Sequence, residues 1–177
     1  MIQTAENLAR RYGITRPEVD AYASQSQARA LAAQERGLFD EEIVTVDNEV
    51  LALEGYEPRA IRLPRKTAAQ SRDTHPRHSP VEVLAGLRPV YEGGVQTAGN
   101  SSALVDGAAA AVVVHGGYLR EHGLHALARL RGAAAAGVPP EIMGIGPVPA
   151  IQALLQRAGL RLDEIGLFEV NEAQGAQ

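Results

Sequence analysis

The sequence predicts an α/β layer protein, on three observations. Strand-like and helix-like patterns alternate through the second half, from the small-apolar run Ala108 to Val114 down to Leu167-Phe168-Glu169-Val170. The first half opens with two helical patterns, each closed by a glycine, Gly13 and Gly37. Hydrophobic residues make up 45% and charged residues 21% of the 177, which is the composition of a soluble globular chain long enough for one full domain or two small ones.

The elements follow in order. A short helix is predicted from Thr4 to Tyr12, with Gly13 ending it. Thr15 with Glu18 has capping-box spacing, and Val19, Tyr22, Ala23, Ser26, Ala30 and Ala33 recur at helical intervals, so a second helix runs from about Arg16 to Arg36. Ile43-Val44-Thr45-Val46 is β-branched and reads as a strand. The stretch from Asp47 to Pro80 has no sustained period and carries Pro58, Pro64, Pro76 and Pro80, the mark of a long surface excursion. Ser79-Pro80-Val81-Glu82 is another capping box, opening a short helix through Leu87 that Pro89 stops. Ala108 to Val114 reads as a strand buried on both faces, Tyr118 to His122 as a helix, and Ala126 to Arg131 as a strand exposed on one face. Pro147 to Ala158 is helical with Gly159 as its stop, and Leu167 to Val170 is a last strand.

Composition also excludes function classes. Net charge is 17 − 21 = −4, no dense Lys/Arg cluster occurs, and only five tyrosines and two phenylalanines are available for base stacking, so nucleic acid is not an expected partner. Cysteine is absent, which removes disulfides, thiolate metal sites and a cysteine nucleophile. The N-terminal residues lack a signal-like apolar core and the longest Ala/Val run is far too short to span a bilayer, so a cytoplasmic protein without a membrane segment is expected.

Candidate chemistry is sparse. His75/His78 and His122/His125 are each spaced three apart, but Pro76 and Gly123 break the helices they would need, so solvated loop histidines are expected and no metal site. Among the carboxylates Asp163, Glu164, Glu169 and Glu172, the first two suit a turn or helix start better than acid/base work. Thr97-Ala98-Gly99-Asn100-Ser101-Ser102 can bring main chain and hydroxyls close to an extended ligand, or equally form a turn whose side chains satisfy its own backbone. Asn171 follows a predicted strand, where it is either a strand-end cap or an amide facing a ligand crevice.

Taken together, these stretches resemble the thiolase family. Met1-Ile2-Gln3-Thr4-Ala5-Glu6-Asn7 stands against the family's M-G-x-T-A-E-N, followed by Ser24 to Ala30, Phe39-Asp40-Glu41-Glu42-Ile43-Val44 and Leu87-Arg88-Pro89-Val90-Tyr91. Thr97 to Ser102, Asp106-Gly107-Ala108-Ala109, Met143 to Ala150 and Asn171-Glu172-Ala173 complete the series, in the family's order and across essentially the whole chain. The resemblance implies an incomplete thiolase-like α/β fold: residues 1–98 as a coenzyme-A-binding loop domain and residues 99–177 as the start of the C-terminal half-domain. It implies acyltransferase chemistry in fatty acid metabolism, thiolysis of 3-ketoacyl-CoA or condensation of acyl-CoA units such as acetyl-CoA. Coenzyme A would be a substrate, no prosthetic group would be held, and the complete enzyme would be a homo-oligomer.

By the same resemblance, Ser102 would hydrogen-bond the pantetheine arm, Ala98 and Leu104 would line its channel, and Tyr91 would stand at an aromatic position of that site. Met1 matches a methionine near the thioester, Arg77 the adenine-nucleotide end, and Asn171 the asparagine that orients a water toward the oxyanion. The family's nucleophilic cysteine, G-H-P histidine and C-x-G cysteine have no counterpart, so the isolated chain is expected to catalyse neither direction. The match starts at the methionine of M-G-x-T-A-E and stops inside a half-domain, so an interior fragment with an uncovered apolar face is expected, prone to associate. Gln174 and Gly175 replace the family's Phe-Ala, removing an aromatic from the pocket, and Asn100-Ser101-Ser102 leans toward degradative members. The alternative is a non-catalytic protein that binds coenzyme A or assembles with a partner.

Overall fold

The structure, a computed structural model, describes residues 1–47, 50–51, 54–55, 59–60, 63 and 66–177. Its first helix, α1, spans Ile2–Tyr12 and ends where Gly13 takes φ 67, a left-handed conformation that glycine adopts without steric cost. The second, α2, spans Arg16–Glu35. Its start is set by the expected Thr15/Glu18 pair: the Thr15 backbone N–H and hydroxyl both donate to Glu18 Oε2 at 2.7 Å.

The core lies where these helices meet the end of the chain. Ala5 and Ala9 of α1, Val19 of α2 and Ala176 form one buried cluster, with Ile14 and Val95 packed against it. A five-residue helix, α3 (Val81–Ala85), lies against α2, and Arg16 Nη2 donates to Leu84 O at 2.6 Å and Leu87 O at 3.0 Å across that contact. α1 packs against the 3₁₀ segment Pro140–Ile145, where Asn7 Nδ2 donates to Glu141 O at 2.8 Å.

α4 (Gly116–Glu121) and α5 (Pro147–Ala158) form close to the predicted bounds, with Gly123 and Gly159 left-handed after them. Asp163 and Glu164 fall in a 3₁₀ turn, Leu162–Glu164, as their turn character suggested. The helix predicted through Leu87 is shorter, and its supposed cap does not form: Ser79 Oγ donates to Arg77 O instead, and Pro80 stands at the cap position.

The long excursion is not wholly irregular. β1 (Val46–Asp47) pairs antiparallel with β4 (Ala69–Gln70), and β2 (Val50–Leu51) with β3 (Arg59–Ala60). Pro58 and Pro64 lie outside the described residues.

The predicted strands need correction. Of Ile43 to Val46, only Val46 is in a ladder, and Ala108 to Val114, Ala126 to Arg131 and Leu167 to Val170 form no strand. Nor is the first of these runs buried: Val112 is 92% and Val113 80% exposed. A helix closes its hydrogen bonds within its own segment, whereas a strand is defined by a neighbour that supplies the other half of each bond. Among the described residues these runs have no such neighbour.

Candidate functional site

On α2, Tyr22 and Ser26 are four residues apart and share a face. Both reach Glu172: Tyr22 Oη donates to Oε1 at 2.5 Å, and Ser26 Oγ donates to Oε2. Two donors favour the ionised carboxylate, so Glu172 is held below its ordinary pKa, by the Ser26 bond first and the Tyr22 bond second. The Tyr22 phenol is correspondingly raised, chiefly by its bond to Glu172, with partial burial adding to it.

Beside this pair opens a cleft of about 500 Å³, counting its mouth. Tyr22, Ser26 and Gln27 of α2 form one wall, and Gly99, Asn100, Ser101 and Ser102 form another. His75 completes it, brought there because α2 grips its neighbours: Gln27 Oε1 accepts from Arg77 N and Gln34 Nε2 donates to Asp73 O, both at 3.0 Å. A second cleft, bordered by Ile14, Val19 and Asn171, shares Tyr22 and Glu172 with the first. The Tyr22–Glu172 pair therefore stands between them.

The 97–102 segment takes the turn reading of the two its sequence allowed. Asn100 Oδ1 accepts from Thr97 N at 2.7 Å and Thr97 Oγ1 accepts from Gly99 N at 3.2 Å, so it is a turn bonded to itself. It also lines the cleft. Gly99 packs closely there: a Cβ would stand 2.4 Å from Leu87 Cδ1 and 2.6 Å from Leu84 Cδ2, so both leucines would have to shift to admit one. The turn is joined to the end of the chain by an antiparallel bridge between Ser101 and Gln174, with Ser102 N donating to Ala173 O and Gly175 N to Asn100 O, each at 2.9 Å. Gly175, where the family pattern has alanine, permits this approach, since a Cβ would lie 2.8 Å from Val19 Cγ1.

The predicted site residues are placed as follows. Ser102 is exposed and lines the first cleft, and Asn171 is exposed and lines the second. Tyr91 lines a third cleft, with Glu6 and Arg10 of α1, and not the one that holds Ser102. Ala98 is an exposed neighbour of Gly99, and Arg77 is exposed, with its backbone held by Gln27. Met1 and Leu104 are exposed and line none of these three clefts.

The structure adds Tyr22, Ser26 and His75, which sequence reasoning did not select as site residues. The i,i+4 spacing of Tyr22 and Ser26 was visible, but nothing local tells a helix that its polar face will meet residue 172. His75, expected as a solvated loop histidine, is half-buried at the cleft. Of the other histidines, His115 accepts from Gly117 N at 3.0 Å and His122 stacks on Tyr118. Among the described residues no group of three metal-ligating side chains comes together, and no helix is long and apolar enough to cross a membrane.

The cleft between a helix and a glycine-containing turn is the candidate site of an α/β chain, and comparison makes the class of that chain specific. The thiolase N-terminal domain model matches residues 1–117 and the thiolase C-terminal domain model residues 124–177. The chain is 47% identical over 176 residues to 3-ketoacyl-CoA thiolase B, peroxisomal, of Rattus norvegicus, covering 98% of this chain and 40% of that protein. It is 45% identical over 176 residues to the acetyl-CoA acetyltransferase of Escherichia coli strain K12, covering 98% of this chain and 41% of the relative. Among solved structures, the Bacillus anthracis acetyl-CoA acetyltransferase superposes with TM-score 0.88 at 43% identity, covering 99% of this chain and 42% of that one. Human mitochondrial 3-ketoacyl-CoA thiolase gives TM-score 0.78 at 36% identity, with 98% and 41% covered. The chain belongs to the thiolase family, and its fold is a part of the thiolase α/β fold. It spans about two-fifths of the length of the curated relatives it matches.

Proposed function

We propose that the chain is the coenzyme-A-binding portion of an acyl-CoA C-acyltransferase, serving thiolysis of 3-ketoacyl-CoA or condensation of acyl-CoA units. The observation that carries this reading is the position of Ser102, exposed on the wall of a cleft whose opposite side is polar helix surface. A pantetheine arm is long, thin and amide-bearing, and a hydroxyl on a turn with little side-chain bulk suits it. On this reading Ser102 hydrogen-bonds the arm, Ala98 and Leu104 flank it, Tyr91 is the aromatic of the site although it borders a different cleft from Ser102, Met1 stands near the thioester, and Arg77 serves the nucleotide. Asn171, one cleft away, orients a water toward the developing oxyanion. Residues 1–98 act as the loop domain and residues 99–177 as the beginning of the C-terminal half.

Acyl-CoA is the substrate, with no prosthetic group, and the cytoplasm is the expected compartment. Cysteine is absent from all 177 residues, and acyl transfer through an enzyme thioester needs a thiolate. The chain by itself therefore performs no turnover, and the complete enzyme acts as a homo-oligomer. Calorimetric titration with coenzyme A tests the reading. Saturable binding is expected, weakened about fivefold to tenfold in Ser102→Ala, the loss of one hydrogen bond. A wild-type chain that gives no binding heat contradicts it. An acyl-CoA product formed from 3-ketoacyl-CoA and coenzyme A by the purified chain would overturn the expected inactivity.

A second reading, assembly with a partner polypeptide, is favoured by the exposed apolar residues of one stretch, among them Leu104, Val112 and Val113. Sedimentation of the chain alone is expected to show association that grows with concentration. A strictly monomeric chain would remove that support.

A further inference from the structure

Among the described residues six polar side chains are buried: Glu6, Asp20, Ser79, Gln96, Thr97 and Asn100. Burying such groups is costly unless each is hydrogen-bonded, so their convergence on one place calls for a reason. All but Ser79 belong to, or bond directly to, the segment 95–101, whose last three residues line the cleft.

Two side chains hold that segment from opposite sides. Glu6, 4% exposed on α1, accepts two successive backbone N–H groups: Oε1 from Val95 N at 2.9 Å and Gln96 N at 2.8 Å, and Oε2 from Val95 N at 3.1 Å. Asn100, 3% exposed, accepts from Thr97 N through Oδ1, while its Nδ2 donates to Asp20 Oδ1 at 2.8 Å and to Val95 O at 2.9 Å. Asp20 in turn is fixed to Arg16 Nε at 2.7 Å.

A carboxamide has two N–H donors, and both of those on Asn100 point inward. Asn100 borders the cleft, yet it has no donor left for a ligand. Glu6 lies outside that cleft and borders the third one, beside Tyr91, with both its oxygens already accepting from Val95 N and Gln96 N. From Gln96 the constraint continues: its Oε1 accepts from Ser101 Oγ at 3.1 Å, and Ser101 and Ser102 are tied to residues 173–174.

We propose that Glu6 and Asn100 are positioning residues, which clamp the backbone of residues 95–101 between α1 and α2 and thereby set where Ser102 is presented, without touching the ligand. This rests on the reading of the cleft as a coenzyme A site, and its test has one arm that needs no ligand.

The first arm is amide exchange, measured residue by residue on the intact chain. Glu6→Ala is expected to accelerate exchange at Val95 and Gln96 by about tenfold or more, and Glu6→Gln, which keeps one acceptor oxygen and is the gentler change for folding, by less. Asn100→Asp keeps the acceptor for Thr97 N but loses both donors and sets a carboxylate against Asp20. Combining it with Asp20→Asn restores a donor across the pair, so exchange at Thr97 is expected to slow again in the double variant. The second arm is coenzyme A affinity by calorimetry, expected to fall about tenfold in Glu6→Ala and Asn100→Asp and to recover in the double variant.

A purely structural role would lower the melting temperature of each variant, with recovery in the double variant, while coenzyme A affinity of the folded chain stayed at the wild-type value. Unchanged exchange at residues 95–97 in Glu6→Gln and Asn100→Asp overturns the proposal, as does unchanged affinity in a chain whose loop has loosened. If the wild type binds no coenzyme A while the exchange pattern follows the variants, the clamp stands and the ligand reading falls.

Discussion

Residues 1–36 with 79–102, and residues 103–115 with 124–133, differ in a way their hydrophobicity conceals. The first region holds nearly all the buried side chains, including Leu84, Val19 and the polar clamp. In the second every residue is exposed, although Ala108 to Val114 is the most uniformly apolar run in the chain. Apolar content therefore does not by itself bury a segment. In the first region α1 and α2 close their own hydrogen bonds and pack against the 3₁₀ segment Pro140–Ile145 and α3 respectively, and Glu6, Asp20 and Arg16 satisfy backbone or side-chain groups of the segments beside them. In the second, each extended run requires a neighbouring strand before its backbone groups and side chains can be covered.

The contrast can be broken from the larger effect to the smaller. Leu84→Ala removes a fully buried side chain at the α2–α3 contact and is expected to cost about 2 to 5 kcal/mol in denaturant titration; a loss under about 0.5 kcal/mol would place the core elsewhere. Glu172 tests the seam between α2 and the end of the chain through pH. Its folded-state pKa is depressed, so its contribution is present above the unfolded value and is lost as pH falls through the folded one. Glu18, also depressed by its bonds to Thr15, acts in the same direction. Melting temperature followed from about pH 6 to about pH 3 is expected to drop, and Glu172→Gln to flatten part of that drop; an acid limb identical in the variant would remove Glu172 from it. Tyr22, being raised, acts at the other end: its contribution is present below the unfolded phenol value and is lost as pH rises through the folded one. The smallest effect is expected in the exposed run. Val112→Ser with Val113→Ser should leave unfolding free energy within about 0.5 kcal/mol of wild type, while light scattering at high concentration falls. A destabilisation like that of Leu84→Ala would show the run to be packed.

The helices were largely legible because their signals are local. Thr15 with Glu18, Gly13 after Tyr12, and Pro147 with Gly159 fix helix ends through bonds and dihedrals made within a few residues. The turn at 97–102 was legible in kind, since a threonine, a glycine and an asparagine at that spacing can bond one another. The strands were not, because β-branched and small-apolar runs state a preference that only a distant partner can fulfil. The site was legible in part for the same reason. Ser102 and Asn171 carry motif information, whereas Glu172 meets Ser26 across 146 positions and Glu6 meets Gln96 across 90.

The most direct measurement is amide exchange over the whole chain with and without saturating coenzyme A. The account predicts slowing at residues 22–27 and 99–104, where helix and turn face the cleft and Leu104 flanks the arm, and no change at 106–114. Slowing confined to 106–114, or none anywhere, would contradict it.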